Sequence, residues 1–255
     1  MLVQSYEPGR PCWADVTCPD IEKAAQFYGG LFGWEAPEGS PEFGGYRSCT
    51  LHGSTVAGMM SQMGPDQPVV WSTYVAVADA DATLAKVEEA GGSAMFPVMD
   101  VGDLGRMGVF VDPFGAVFGV WQPAVHTGAQ IFGDPGAMCW IELTTDAANI
   151  ERSKQFYADV FGWSIGGAPE YTEFGVGGES VAGMMPKPEM LVAAGMPNFW
   201  GVYFAVDNAD AAVEKALALG GQVHVPATDI EPGRFAVLAD SNGAPFNILQ
   251  PNPRG

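Results

Sequence analysis

The sequence predicts an α+β protein built from four βαβββ modules in two tandem domains. Three observations carry this prediction. The chain repeats itself once, in a register near 129 residues, as from Gln26 to Gln155. Each copy alternates short strand patterns with two amphipathic helical stretches. Turn residues punctuate both copies, in keeping with 34 glycines and 20 prolines among 255 residues.

The repeat is dense. Cys12-Trp13-Ala14-Asp15-Val16-Thr17 matches Cys139-Trp140-Ile141-Glu142-Leu143-Thr144, and Phe32-Gly33-Trp34 matches Phe161-Gly162-Trp163. Val56-Ala57-Gly58-Met59-Met60 recurs identically as Val181-Ala182-Gly183-Met184-Met185, and Trp71 and Tyr74 return as Trp200 and Tyr203. Small slips of register belong in loops. Domains are expected over residues 9–124 and 136–253, with 124–136 as linker.

Within the first copy, Trp13–Thr17 alternates as a strand. Pro19 and Asp20 open a helix whose apolar face is Ile21, Ala24, Ala25, Phe27, Tyr28 and Leu31, with Gly29 and Gly30 weakening its end. Strands are expected over 46–51 and 55–60, with a weaker signal at 34–36. The second module opens with a strand at 72–78. Asp79 or Asp81 caps the next helix, and Gly91-Gly92 stops it. Strands follow around Met95-Phe96 and over 107–111. Asp112-Pro113-Phe114-Gly115 is a type I turn before a closing strand at 116–121.

Composition bounds function. Apolar residues make up 47% and the formal net charge is −19, so the chain is globular and a poor partner for nucleic acid or anionic membranes. No apolar run approaches a membrane span, and Met1–Glu7 carries no signal-peptide pattern. The four cysteines form no CxxC pair, which favours reduced thiols and a cytoplasmic location. No phosphate-binding loop or GxSxG elbow occurs. His52, His126 and His224 have no counterparts in the repeat and read as turn, linker and strand residues.

The Thr17-Cys18-Pro19-Asp20-Ile21 run into Phe27-Tyr28 and Phe32-Gly33-Trp34, the Asp112-Pro113-Phe114-Gly115 turn, and their duplication over nearly the whole chain resemble the vicinal oxygen chelate superfamily of glyoxalases, bleomycin resistance proteins and extradiol dioxygenases. The stretches 105–107 through 121–123 and 126–129 resemble a two-domain actinobacterial group that includes a mycobacterial 27 kDa antigen, and accessory proteins of anthracycline pathways are similar in architecture. The resemblance implies that paired modules form two cup-shaped mixed sheets, each cup holding a ligand, and that metal-dependent members carry His, Gln or Glu on the first strand of each module and Glu on the last. Carried onto this chain, those positions are Trp13, Ser72, Gly58 and Gly119 in one half, and Trp140, Gly201, Gly183 and Asn247 in the other. A shift of register would add Asp15 or Glu142. One carboxylate per half is too poor a donor set for a metal, so no metal and no cofactor are expected.

Period-two alternation places Asp15 with Trp13 and Glu142 with Trp140 on one face. Such acids are candidate catalytic bases, or hold a cation or hydroxyl on a ligand; equally, they brace the cup by bonding their neighbours. The repeated aromatics and methionines, Trp13, Trp140, Tyr74, Tyr203, Met60 and Met185 among them, either fill core or line a pocket for a flat molecule. Two functions stay open. One is a monomer or weak dimer that binds or sequesters a flat hydrophobic natural product, such as an aromatic polyketide antibiotic. The other is a cofactor-independent lyase, isomerase or hydroxylase-type enzyme.

Overall fold

The computed structural model describes residues 2–253. Its first half runs β1 (Pro11–Cys18), α1 (Ile21–Phe32), β2 (Arg47–Leu51), β3 (Ser54–Ser61), β4 (Val70–Ala76), α2 (Ala80–Glu89), β5 (Ser93–Val101), β6 (Gly105–Val111) and β7 (Val117–Pro123). The second runs β8 (Met138–Thr145), α3 (Ile150–Phe161), β9 (Ser164–Ala168), β10 (Tyr171–Val176), β11 (Glu179–Pro186), α4 (Glu189–Ala193), β12 (Phe199–Ala205), α5 (Ala209–Ala218), β13 (Gln222–Ile230), β14 (Gly233–Ala239) and β15 (Pro245–Pro251). Each half forms one mixed sheet, ordered β2-β3-β1-β4-β7-β6-β5 and β13-β14-β15-β12-β8-β11-β10-β9. Modules meet through antiparallel pairs, β1 with β4 and β8 with β12.

Local chemistry sets the helix ends. The Asp20 carboxylate accepts from the Lys23 N–H at 3.0 Å, and Asp79, not Asp81, caps α2 through the Ala82 N–H at 2.9 Å. The helix α1 continues through Gly29-Gly30 and stops at Gly33, which is left-handed at φ 78°. Gly30 instead serves packing: a Cβ there would stand 2.7 Å from Leu219, beyond the end of α5. The weak strand signal at 34–36 is reduced to a single bridge between Glu35 and Thr50. In the second half the matching stretch is a full strand, β9. The linker is not a loose tether. Its Ala129 and Gln130 N–H groups donate to Cys12 and Thr55 carbonyls, and Gly136 N–H donates to Ala205.

Alternation gives each sheet two unlike faces. On one, Ala14, Val16, Met59, Ile141, Leu143 and Met184 are buried in a continuous core shared by the two halves. Here the repeated helices cross over. Phe27 and Phe32 of α1 pack on Phe246 of β15, and Phe156 and Phe161 of α3 pack on Phe118 of β7. Trp71 and Trp200 belong to this core, each donating its indole N–H to a helix tyrosine, Tyr28 at 2.8 Å and Tyr157 at 2.9 Å. Those tyrosines donate onward across the molecule, Tyr28 to Asp240 at 3.0 Å and Tyr157 to Asp112 at 2.9 Å. Each aspartate in turn caps its own turn, accepting from the Ala116 and Phe114 N–H groups or from Ala244 and Asn242. The other face of each sheet, turned away from the helices, carries the candidate site residues.

Replacing Tyr28 or Tyr157 by Phe strands a buried indole N–H and withdraws one donor from a buried carboxylate. Each change should lower unfolding free energy in urea by about 1–3 kcal/mol. The double variant should lose close to the sum, because the two chains of bonds share no residue.

Candidate functional site

The free face of each half centres on a buried carboxylate ringed by aromatic hydroxyls. In the first half, parallel pairing sets Asp15 beside Gly58, and antiparallel pairing sets it opposite Ser72. Trp13 lies opposite Tyr74, which pairs in turn with Gly119. The Tyr46 hydroxyl donates to Asp15 Oδ2 at 3.1 Å and accepts from the Trp13 indole at 2.8 Å; the Tyr74 hydroxyl approaches Oδ1 at 3.4 Å. In the second half Glu142 lies beside Gly183 and opposite Gly201, and Tyr203 pairs with Trp140 and with Asn247. Tyr203 donates to Glu142 Oε1 at 2.8 Å, and Trp140 donates to the Tyr171 hydroxyl at 2.9 Å.

Tyr46 and Tyr171 escaped the sequence reading. Their signal was present, since each stands ten residues before the identical Val-Ala-Gly-Met-Met segment that begins at Val56 and Val181. The two tyrosines explain the glycines. A Cβ at Gly58 would fall onto the Tyr46 hydroxyl, one at Gly183 onto that of Tyr171, and one at Gly119 onto the Tyr74 ring. A Cβ on Gly201 would stand 3.0 Å from the Asn247 amide, which donates to the Val202 carbonyl at 3.1 Å. Met60 and Met185 are half-buried on the same faces. Gly58 neighbours Asp15, and Gly119 neighbours Tyr74.

Burial governs the electrostatics. It pushes the Asp15 carboxyl up to about 6, against the opposing pull of the Tyr46 and Tyr74 hydroxyls. Glu142 is raised in the same way, opposed by Tyr171 and Tyr203, and all four tyrosines are themselves raised by burial and by their carboxylate. A divalent ion does not fit either cluster. Each offers one carboxylate surrounded by hydrogen-bond donors, and among the described residues no group of three His, Cys, Asp or Glu side chains converges.

The halves differ in what covers this face. In the first, the His126 ring stands edge-on to Trp13, with centroids 4.5 Å apart, and Trp121 donates to the His126 carbonyl at 2.7 Å. Tyr6, tied to the Ala129 carbonyl at 2.7 Å, packs on the same cluster, as do Tyr46, Leu104 and Met107. Trp13 is left 6% exposed. In the second half Trp140, Tyr171, Gly201 and Asn247 are all half-buried around Glu142, which is itself 9% exposed. Two surface hollows, of about 220 and 190 Å³, include neither Asp15 nor Glu142 in their lining.

Comparison with known proteins fits this architecture. Residues 11–120 match the Glyoxalase/Bleomycin resistance protein/Dioxygenase superfamily, and residues 142–249 match a glyoxalase-like domain. The Mycobacterium tuberculosis protein CFP32, which bears a glyoxylase name, is 41% identical over 98% of this chain and 97% of its own. The anthracycline biosynthesis protein DnrV of Streptomyces peucetius is 38% identical over 96% of this chain and 94% of its own. The chain therefore belongs to the glyoxalase, bleomycin resistance and dioxygenase superfamily, as a duplicated two-domain member. Solved structures share the fold alone. The Mn(II)-bound glyoxalase of Novosphingobium aromaticivorans superposes with a TM-score of 0.68 at 15% identity, covering 95% of this chain and 82% of that one. The 2,3-dioxygenase LapB of Pseudomonas sp. KL28 gives 0.64 at 14% identity, covering 97% and 96%.

The raised Asp15 carboxyl has a consequence for stability. Its folded value lies above its ordinary 3.8, so the folded state holds the proton more tightly than the unfolded chain. Its contribution is then fully present below pH 4 and is lost as pH rises to about 6, by on the order of 3 kcal/mol. Asp15→Asn should remove that component. The difference in urea unfolding free energy between pH 4 and pH 7 should shrink by this amount, whereas parallel profiles for the two proteins would show that Asp15 ionises freely in the folded state.

Proposed function

We propose that this protein binds a flat, hydrophobic small molecule of the aromatic polyketide class on the free face of its C-terminal half. The observation that supports this most directly is the contrast between the halves. Trp13 is buried under its own chain in the first half, whereas Trp140 is half-buried in the second, with Glu142 and Tyr203 buried beside it. Trp140 offers an indole face, while Phe235, Val237 and Leu249 on neighbouring strands supply half-buried apolar surface. Burying such surface against a ligand is worth roughly 25 cal/mol per Å², and an aromatic stack adds about 0.5–1.5 kcal/mol. Glu142, Tyr203 and Asn247 supply the few polar groups that orient a ligand with hydroxyl or amino substituents. The kinship with DnrV supports a role near antibiotic biosynthesis.

A second reading rests on Glu142 itself. A raised carboxyl beside two tyrosine hydroxyls is the pairing of a base with an oxyanion donor. Turnover of a bound polyketide that vanishes in Glu142→Gln while binding persists would favour a cofactor-independent enzyme.

Titration with 1,8-dihydroxyanthraquinone and related aromatic polyketides should quench tryptophan emission saturably. Trp140→Ala should weaken binding roughly ten-fold or more if the indole is a central anchor, and Trp13→Ala should weaken this site far less. An absence of saturable quenching across the panel would end the binding reading.

A further inference from the structure

The free face of the C-terminal half does not end at Trp140 and Glu142. Strand pairing sets five residues in one row across that face: Gly166 of β9, Glu173 of β10, Gly183 of β11, Glu142 of β8 and Gly201 of β12. Two carboxylates thus share a row with three glycines. Neighbouring strands lie about 4.8 Å apart, so the backbones of Glu173 and Glu142 stand about 10 Å from each other. Over the Gly183 between them meet the Tyr171 hydroxyl and the Trp140 indole nitrogen, both of which a Cβ there would strike. The N-terminal row reads Ser48, Gly58, Asp15 and Ser72. Serine stands where the C-terminal half has Glu173, and the place of β9 is taken by the single bridge between Glu35 and Thr50.

The second carboxylate opens onto a cavity. Glu173 lies in the wall of the surface hollow of about 190 Å³, whose lining includes Gly166, Gly175 and Gly178. Those glycines leave its floor free of side chains. Ser164 and Ser180 add hydroxyls, and the Ser180 hydroxyl donates to Glu173 Oε2. A second acid of the lining, Glu179, already has a cation, since Arg10 Nη2 stands 2.6 Å from its carboxylate. Among the described residues no lysine or arginine pairs with Glu173 or with Glu142. The two acids are unlike. Glu142 is 9% exposed and its carboxyl is raised by burial, which makes it a poor partner for a cation, whereas Glu173 is half-buried at the edge of water. The hollow has the volume of about six waters, room for a short alkyl arm ending in an ammonium group.

We infer that this hollow is a second compartment of the C-terminal site, and that it selects flat aromatic ligands bearing a protonated amine on a short arm. The ring lies against Trp140, the arm passes Tyr171 over the glycine row, and the ammonium donates to Glu173 and to the serine hydroxyls. The inference rests on the binding reading for Trp140 and adds to it a ligand class. A charge-assisted bond to a half-buried carboxylate rewards an amine over a hydroxyl of the same size. The N-terminal face, with Ser48 in the matching place, offers no such reward.

Two probes of equal size test this, 1-(3-aminopropylamino)anthraquinone and 1-(3-hydroxypropylamino)anthraquinone, with 1,8-dihydroxyanthraquinone as the armless reference. Dissociation constants come from quenching of tryptophan emission at neutral pH. The amine should bind roughly ten-fold tighter than the alcohol. Glu173→Gln should cut that preference to about two-fold or less by weakening the amine alone. Gly166→Leu fills the hollow at a position with room, since the nearest atom to a Cβ there is the Glu173 carbonyl oxygen at 4.0 Å. It should weaken both arm-bearing probes and leave the armless one unchanged. Equal affinities for amine and alcohol, or failure of both while the armless probe still binds, would overturn the compartment and leave the flat-ligand reading standing. A preference that survives Glu173→Gln would also overturn it, by showing that Glu142 or the net charge of −19 attracts the amine. No binding of any of the three probes would overturn both readings.

Discussion

The molecule depends on a buried chain of hydrogen bonds that passes twice between its halves, from tryptophan to helix tyrosine to turn aspartate. Trp71, Tyr28 and Asp240 form one chain, and Trp200, Tyr157 and Asp112 the other. Each aspartate is raised by burial and held by backbone N–H groups of its own turn, so the turn cannot relax without stranding a carboxylate. Each tyrosine sits on a helix from the opposite half. Two sheets that could pair only within themselves are thereby locked into one body with one core, and the helix side of each sheet is fully committed to that union.

The opposite faces are left free of that packing, and there the two copies diverge. The linker carries His126 back over Trp13, which is 6% exposed, whereas Trp140 in the second half is half-buried. The duplicated scaffold stays constant because its faces must still meet, whereas the connecting segments differ in length between the halves.

Much of this was legible in the residues. Helix caps, turn types and the module order follow from local chemistry, and the internal repeat sets the gross architecture. The division of the tryptophans was not legible. Trp13 and Trp71 are both repeated, and only the pairing of β1 with β4 shows that one looks to the free face and the other to the core. The longer connection between Trp34 and Tyr46 was visible only as a slip of register, from 129 residues between Gln26 and Gln155 to 125 between Val56 and Val181. A slip marks a loop but not its destination. The link between Tyr28 and Asp240 spans 212 residues, and no local pattern announces it.

The glycines bear on how the superfamily's metal chemistry relates to this chain. Gly58 and Gly183 each lie beneath a tyrosine hydroxyl with no room for a Cβ. The tyrosine does for the carboxylate what a cation would do, offering it a positive pole, but does so without supplying a Lewis acid. Restoring histidine or glutamate at Gly58 or Gly183 would therefore drive Tyr46 or Tyr171 off the carboxylate before any ion could bind. Glycine and tyrosine are one coupled replacement, and reversing it requires both positions to change together. The face around Glu142 accordingly carries an indole and hydrogen-bonding hydroxyls, with the raised carboxyl as its one strongly polar group.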